Sequence, residues 1–395
     1  LTLSSTRVEN LDALGAVRRV GGNLDISHNE DLVRVDGLHA LESVGGYVRI
    51  ASNRALTRIE GWTALTSLGS DLSLNSNQRL EWMGGFTRLE YLGGGLRISE
   101  HDRLTTIADM PALTTIRGVV ELYHVSALPV LEGFLRVTTL GGLYLVENDS
   151  LTRVDAFAGV TQLSGLLAAV LNPRLTELEG LRNVQRIDGI VNFRANRAQS
   201  HLKGLRSLRS IGGEFFQLGD LSLTSLQGLS GLQEVQGDVY LGSLPMRNLQ
   251  GLNALAEIGG SLNISSTALV DLEGLASLRR VGGDLQVRSN SGLRQLTGLE
   301  KLTSIGGSLL VFDNDSLVRL NGLSWLETVG QSVSIYSNPK MQGLRGLDQL
   351  TSVGALQLSF LPELQRLDGL YSLTRVEGDL TVSGNLLSLN ELSQL

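Results

Sequence analysis

Apolar and polar positions along the chain repeat every 23 or 24 residues. The run Val281-Gly-Gly-Asp-Leu-Gln-Val-Arg-Ser-Asn290 is followed by Leu293, Leu296, Gly298, Leu299 and Leu302. It stands between Ile258-Gly-Gly-Ser-Leu-Asn-Ile264 and Ile305-Gly-Gly-Ser-Leu-Leu-Val311. With the apolar residue before Gly-Gly as position zero, sixteen starts run from Val20 to Val376, after a partial rung from Leu1. Apolar residues fall at positions zero, four, six, twelve or thirteen, fifteen, eighteen and twenty-one, as in Val44, Val48, Ile50, Leu56, Ile59, Trp62 and Leu65. The pair at four and six has the period of a short strand, whereas the later spacings of three suit tight turns or short extended segments rather than a full helix.

Self-similarity at this period marks a solenoid, in which each repeat buries its apolar edge against its neighbours. The pattern predicts an all-β fold: a parallel β-helix of leucine-rich-repeat-like form with about 16 rungs of 23–24 residues, residues 1–395 making one continuous body. The crossover rule for parallel strands makes its coil right-handed.

Two polar features punctuate the rung. Gly-Gly at positions one and two, as at Gly45-Gly46 and Gly306-Gly307, leads into a strand rather than a helix, so it predicts a corner needing positive φ or close backbone approach, not a phosphate loop. Asn at position nine recurs at Asn29, Asn53, Asn77, Asn172, Asn196, Asn290, Asn314, Asn338 and Asn385, with Asn148 matching after a one-residue deletion. Stacked amides can satisfy the backbone of their own turn and the next, so a buried structural ladder is expected. It fails at Val125, Leu244, Thr267 and Pro362.

Composition narrows the function classes. A net charge of −7 with no basic stripe argues against nucleic acid as a partner. The absence of cysteine excludes a disulfide framework, and no apolar run reaches a membrane span of roughly 20 residues. The chain opens inside a rung, because Leu1-Thr-Leu-Ser-Ser-Thr6 aligns with Leu262-Asn-Ile-Ser-Ser-Thr267. Truncation within a rung is expected at both ends, with upstream sequence, a signal peptide among its candidates, missing.

The repeat Val-Gly-Gly-x-Leu-x-Ile-x-x-Asn-x-x-Leu-x-x-Val-x-Gly-Leu-x-x-Leu resembles the receptor L domain, the leucine-rich β-helix module of insulin and epidermal growth factor receptor ectodomains. Val20 to Val44 and Val281 to Ile305 match it nearly position by position, and the resemblance covers essentially the whole chain. It implies an extracellular or cell-surface protein that binds other proteins. The Cys-rich segment between paired L domains is missing here, and 30 Arg against 3 Lys suggests a GC-rich gene, so a microbial surface member is expected rather than a hormone receptor.

Chemistry-bearing motifs are sparse. His101 and His124 fall in adjacent rungs and read as a surface pair rather than a metal site, and no histidines show the i, i+4 spacing of a zinc helix. Glu147-Asn-Asp-Ser150 and Asp313-Asn-Asp-Ser316 carry too few carboxylates for calcium and read as polar turns. Asn148, Asn263 and Asn314 sit in glycosylation sequons, but in ladder or strand positions where no sugar is expected. No nucleophile elbow, HExxH or Walker loop is present, so no catalytic residue, metal or cofactor is assigned.

The sharper signal lies at the outward positions five and seven. Polar in early rungs (Asp25, Ser27, Arg49, Ser73, Asn75), they become Tyr123, Tyr144, Val146, Val170, Phe216, Leu218 and Tyr240, and after a polar gap Leu310, Phe312 and Tyr336. A locally shifted rung would instead turn Phe216 inward, because Phe215 and Leu218 compete for the same places. An exposed aromatic strip marks a partner site, against the plainer reading that a flat sheet favours such residues. The expectation is a non-enzymatic surface module recognising a protein or glycan through this face. The alternatives are a rod or spacer that self-associates end to end, and, third, a carbohydrate-active enzyme.

Overall fold

The computed structural model describes all residues except Asp220, Leu221 and the side chain of Leu218. It is a stack of short parallel strands with no α-helix among the described residues. The chain divides into two units, Leu1–Gln199 with Lys203–Ser207, and Ser200–Leu202 with Leu208–Leu395.

In the first unit nine main strands succeed one another, from Thr2–Ser4 and Leu24–Ser27 to Leu167–Val170 and Val191–Arg194. Within the unit successive strands pair in parallel, so that Val48 faces Leu72 and Ile50 faces Leu74. The deletion after Leu140 is absorbed as a register shift, and Val119 rather than Gly118 lies opposite Gly142. Two-residue strands follow on another side, Arg58–Ile59, Trp82–Met83 and Thr106–Ile107 forming one small sheet and Val130–Leu131 with Arg153–Val154 another. The remaining side closes in turns, three of them single 3₁₀ turns at Asp12–Leu14, Asp36–Leu38 and Glu179–Leu181, with a fourth at Lys203–Leu205. The second unit repeats the plan with eight main strands, from Phe215–Leu218 to Leu380–Gly384, and its 3₁₀ turns are Gln227–Leu229 and Asn390–Leu392.

The inward set is as the periodicity predicts: Val44, Val48, Ile50, Leu56, Ile59, Trp62 and Leu65 are all buried. Burying each such side chain is worth about 1.5–3 kcal/mol, so this seam drives the coiling. Larger residues at position eighteen stack within it, Trp62 on Phe86 at 5.7 Å and Phe134 on Phe157 at 5.3 Å.

The Gly-Gly corner owes its glycines to close approach alone. None of Gly45, Gly46, Gly282, Gly283, Gly306 and Gly307 has positive φ, contrary to one of the two reasons expected. A Cβ on Gly306, however, would lie 2.1 Å from the Gly282 carbonyl oxygen, because successive corners hydrogen-bond directly, Gly306 N–H to Val281 O at 2.8 Å. Positive φ is found instead at the single glycines before leucine, such as Gly298 at +113° and Gly322 at +112°.

The strand ends at a second corner, which is built on strain. Position eight is left-handed although it is seldom glycine: φ lies between 52° and 59° at His28, Ser52, Ser76, Glu100, His124, Glu147, Leu171 and Ala195, and again at Ser243, Ser266, Ser289, Asp313, Ser337 and Phe360. Each costs about 1–2 kcal/mol for a residue with a Cβ. The reversal also removes two backbone groups from the strand ladder, and the asparagine of the next rung restores both. Asn314 Oδ1 accepts the Asn290 N–H at 3.1 Å, and Asn314 Nδ2 donates to the Val287 carbonyl at 3.0 Å. Asn53, Asn77, Asn148, Asn172, Asn196, Asn290 and Asn338 each reach the equivalent carbonyl of the preceding rung. All of these side chains are fully buried, and Asn314 and Asn338 also donate to their own turn at Phe312 and Tyr336.

Departures from the ladder take several forms. Thr267 keeps a hydroxyl bond to Asn290 Oδ1, whereas Val125 and Leu244 are simply buried. Another deletion, after Val353, makes buried Leu361 the position-nine residue, not Pro362, because Tyr336 pairs with Ser359. Asn385 is exposed and reaches only the Pro362 carbonyl. His101 also occupies position nine and is fully buried, which corrects its expected place on the surface. Its Nδ1–H donates to the Asn77 carbonyl at 3.2 Å, while Nε2 has no hydrogen-bond partner. Burial pulls its pKa below the ordinary 6.5, against smaller upward pulls from the Asn77 and Leu74 carbonyls.

Two outcomes test this corner. Asn314→Ala strands a buried N–H and a buried carbonyl, and chemical denaturation should show a loss of about 2–4 kcal/mol. His101 has the opposite defect. Its folded pKa is depressed, so its contribution to stability is full above about pH 6.5 and is lost as pH falls from there towards the folded value. His101→Asn should raise stability at pH 7 by about 1 kcal/mol and flatten the decline below about pH 6.5, read by melting curves across pH.

Candidate functional site

Alternation along each main strand sends positions four and six inward and positions five and seven outward. In the first unit the outward columns begin as a lattice of charge, with Arg49 at 3.4 Å from Asp25 and Arg97 at 3.3 Å from both Asp71 and Glu121. They then turn apolar. Tyr123 faces Val146, which faces Val170, while Tyr144 stands between Glu121 and Ala168. Tyr123 is 36% exposed, whereas Val146 keeps only 7% and supports its neighbours rather than offering area of its own. Tyr144 and Val170 are half-buried.

In the second unit Phe215 takes the inward place and Phe216 points outward, so the rung is not shifted there. Phe216 lies flat on Tyr240, ring centroids 4.7 Å apart and planes within 2°. The Tyr240 hydroxyl donates to Asp238 Oδ2 at 2.8 Å. That bond first, then burial, raises the phenol's pKa above its usual value and keeps it a donor. The same column continues through Asn263 and Gln286, whose amides hydrogen-bond each other, to Leu310. In the neighbouring column Ser265 and Arg288 lead to Phe312, stacked on Tyr336 at 4.7 Å and 9°. The Leu218 side chain lies outside the described residues. The second unit therefore carries two apolar clusters, Phe216 with Tyr240 and Leu310 with Phe312 and Tyr336, separated by two rungs of amide, hydroxyl and guanidinium groups.

The expected histidine pair does not form. His124 is exposed at position eight, its Nδ1 at 3.6 Å from Glu147 and its Nε2 at 3.9 Å from Asp102, while His101 points into the core. Among the described residues no group of three or more His, Cys, Asp or Glu could hold a metal ion. The Asn148 and Asn314 sequons coincide with fully buried ladder residues. No helix of the described residues is long and apolar enough to cross a membrane.

Four exposed aromatic residues escaped the strand-face pattern, Tyr47, Tyr371, Trp325 and Phe360, of which the last two border clefts. Trp325, 62% exposed, precedes the last buried leucine of its rung and borders a cleft with Arg279, Glu300, Lys301 and Thr303. Phe360, 76% exposed, sits at the left-handed corner and borders a larger groove. Their signal in the sequence was a bulky side chain where other rungs have small or polar ones, as Lys301 and Gln349 for Trp325 and Ser289 and Ser337 for Phe360.

No protein-family model matches the chain, and no curated protein matches it. Solved structures resemble it at low identity. An internalin (InlF) from Listeria monocytogenes is 16% identical with a TM-score of 0.41, covering 78% of each chain. The functional domain of InlJ from Listeria monocytogenes, which includes a cysteine ladder, is 17% identical with a TM-score of 0.33, over 86% of this chain and 67% of that one. TLR13 in its complex with ssRNA13 is 14% identical with a TM-score of 0.26, over 98% of this chain and 70% of that one.

Proposed function

We propose that the chain is a non-enzymatic binding module of the extracellular or cell-surface kind, similar to the receptor L domain, which takes a protein or glycan partner on its outward strand face. The observation that carries this reading is the pair of coplanar ring stacks, Phe216 on Tyr240 and Phe312 on Tyr336, on the side of the strands that the core does not use. Flat aromatic area bordered by Arg288, Asn263 and Gln286 has the make-up of a partner surface, in which a few aromatic anchors dominate and polar groups fix orientation. The net charge of −7 disfavours a phosphate backbone as that partner.

The test is an array of surface proteins and glycans probed with the intact chain, followed by two double variants, Tyr123→Ser with Tyr144→Ser and Tyr240→Ser with Tyr336→Ser. Binding should fall at least about tenfold in one of them, while its melting temperature drops by no more than about 4 °C. Undiminished binding in both variants removes the strand face as the site. A chain that binds nothing on the array favours a spacer.

A further inference from the structure

At the left-handed corner of the second unit a groove of about 910 Å³ runs beside the strand ends. Its size lies in the range of about 300–1,000 Å³ common for small-ligand clefts. One bank is the position-eight column of Ser289, Asp313, Ser337 and Phe360, and the other is the position-ten column of Ser291, Asp315, Pro339 and Pro362. Between them the position-nine residues turn into the core, so the cleft follows directly from the reversal.

We propose that this groove binds a neutral oligosaccharide. Three observations converge on that chemistry. Phe360 has an aromatic ring 76% exposed on a backbone with φ +54°. A bulky side chain gains little for folding at that exposure and carries the left-handed penalty, so the ring contributes more to surface recognition than to stability. The apolar C–H face of a pyranose stacks on such a ring.

The polar part of the remaining lining is serine hydroxyls, the Asp313 and Asp315 carboxylates and the Asn385 amide, beside Pro339, Leu361 and Pro362, and the absence of Lys, Arg and His from it rejects phosphate, sulfate and uronate. Serine both donates and accepts, and a carboxylate accepts from two adjacent hydroxyls, so both banks match a ligand with hydroxyls along each edge. The third observation is a contrast with the first unit, where the same two columns place basic residues beside some of their carboxylates. There Arg54 lies 3.4 Å from Glu30, and His124 stands between Asp102 and Glu147. Among the described residues neither Asp313 nor Asp315 joins an ion pair. A basic peptide would answer the two charges but leave most of the serine hydroxyls without partners. An oligosaccharide uses the ring, the hydroxyls and the carboxylates together.

The experiment titrates the full chain with neutral hexasaccharides of β-1,3-glucan, β-1,4-glucan, α-1,4-glucan and mannan, and separately with an Arg- and Lys-rich peptide. One glucan or mannan should bind with little dependence on salt, since no net charge is neutralised. Phe360→Ser should weaken that binding at least about tenfold, and Asp313→Asn several-fold, with melting temperatures unchanged or raised. Three results overturn the proposal: no hexasaccharide binds, Phe360→Ser binds as well as the parent, or only the peptide binds and salt abolishes it. Tyr240→Ser separates this groove from the strand face. Sugar binding lost in Tyr240→Ser and kept in Phe360→Ser belongs to the strand face and not to the groove.

Discussion

The asparagine clasp at the end of each main strand is the interaction on which the rest of the rung depends. A parallel strand of four residues must turn sharply if the chain is to complete a coil in two dozen residues, and here the turn is made by one left-handed residue at position eight. That conformation is unfavourable in itself, and it also strands an N–H and a carbonyl in a place water does not reach. Leaving both unsatisfied would add about 1–3 kcal/mol each to the cost of the turn. One primary amide has the acceptor and the donor at the right separation to satisfy both, which is why the buried polar column is asparagine rather than serine or aspartate.

The clasp is directional, since each asparagine closes the rung before it. Stability therefore passes along each unit from neighbour to neighbour, as expected of a quasi-one-dimensional stack. It also leaves the outward positions without a structural duty. The seam at positions zero, four and six and the two corners account for the coil, so the outer columns can hold ion pairs in one stretch and stacked rings in another without disturbing the inside. Freedom of this kind allows one scaffold to present different chemistry on different rungs.

Much of this was legible in the sequence, and what was not has a physical reason. Period-two alternation at Val48 and Ile50 gave the strand and its buried face, and the spacing of Asn29, Asn53 and Asn77 gave the ladder. The left-handed corner was silent because its usual marker is glycine, and here the place belongs to Ser52, Ser76 and Glu100. Gly-Gly was visible but signals crowding, not positive φ, while the φ of +113° at Gly298 belongs to a glycine that stands alone. His101 was misplaced because a histidine in an asparagine column resembles a surface residue until its burial is known. Of the candidate site, the outward direction of the aromatic positions could be read from alternation. The polar gap before Leu310 was visible too, whereas the partner of Tyr123 was not, because it depends on the deletion after Leu140, which shifts the register by one residue.

Three of the ladder failures lie in rungs that carry an exposed or half-exposed aromatic residue, although Tyr47, Tyr144 and Trp325 lie in rungs that keep the amide. Tyr123 precedes Val125, Tyr240 precedes Leu244, and Phe360 precedes Leu361, each in a rung without the position-nine asparagine. The stack of Phe312 on Tyr336 also lies on rungs that keep it, at Asn314 and Asn338. A rung that gives up its amide loses hold on the corner before it, and regions with fewer buried hydrogen bonds open more readily. Sites that break a repeat's own rule are where function is expected to outweigh stability. At Leu361 three departures coincide, a deletion, a missing amide and an exposed ring on a left-handed backbone, and the groove of about 910 Å³ borders them. Selection for folding alone would favour an asparagine at position nine and a small polar residue at position eight, as in the preceding rung. Their joint absence there is a departure that coiling does not account for, and the proposed recognition rests on it.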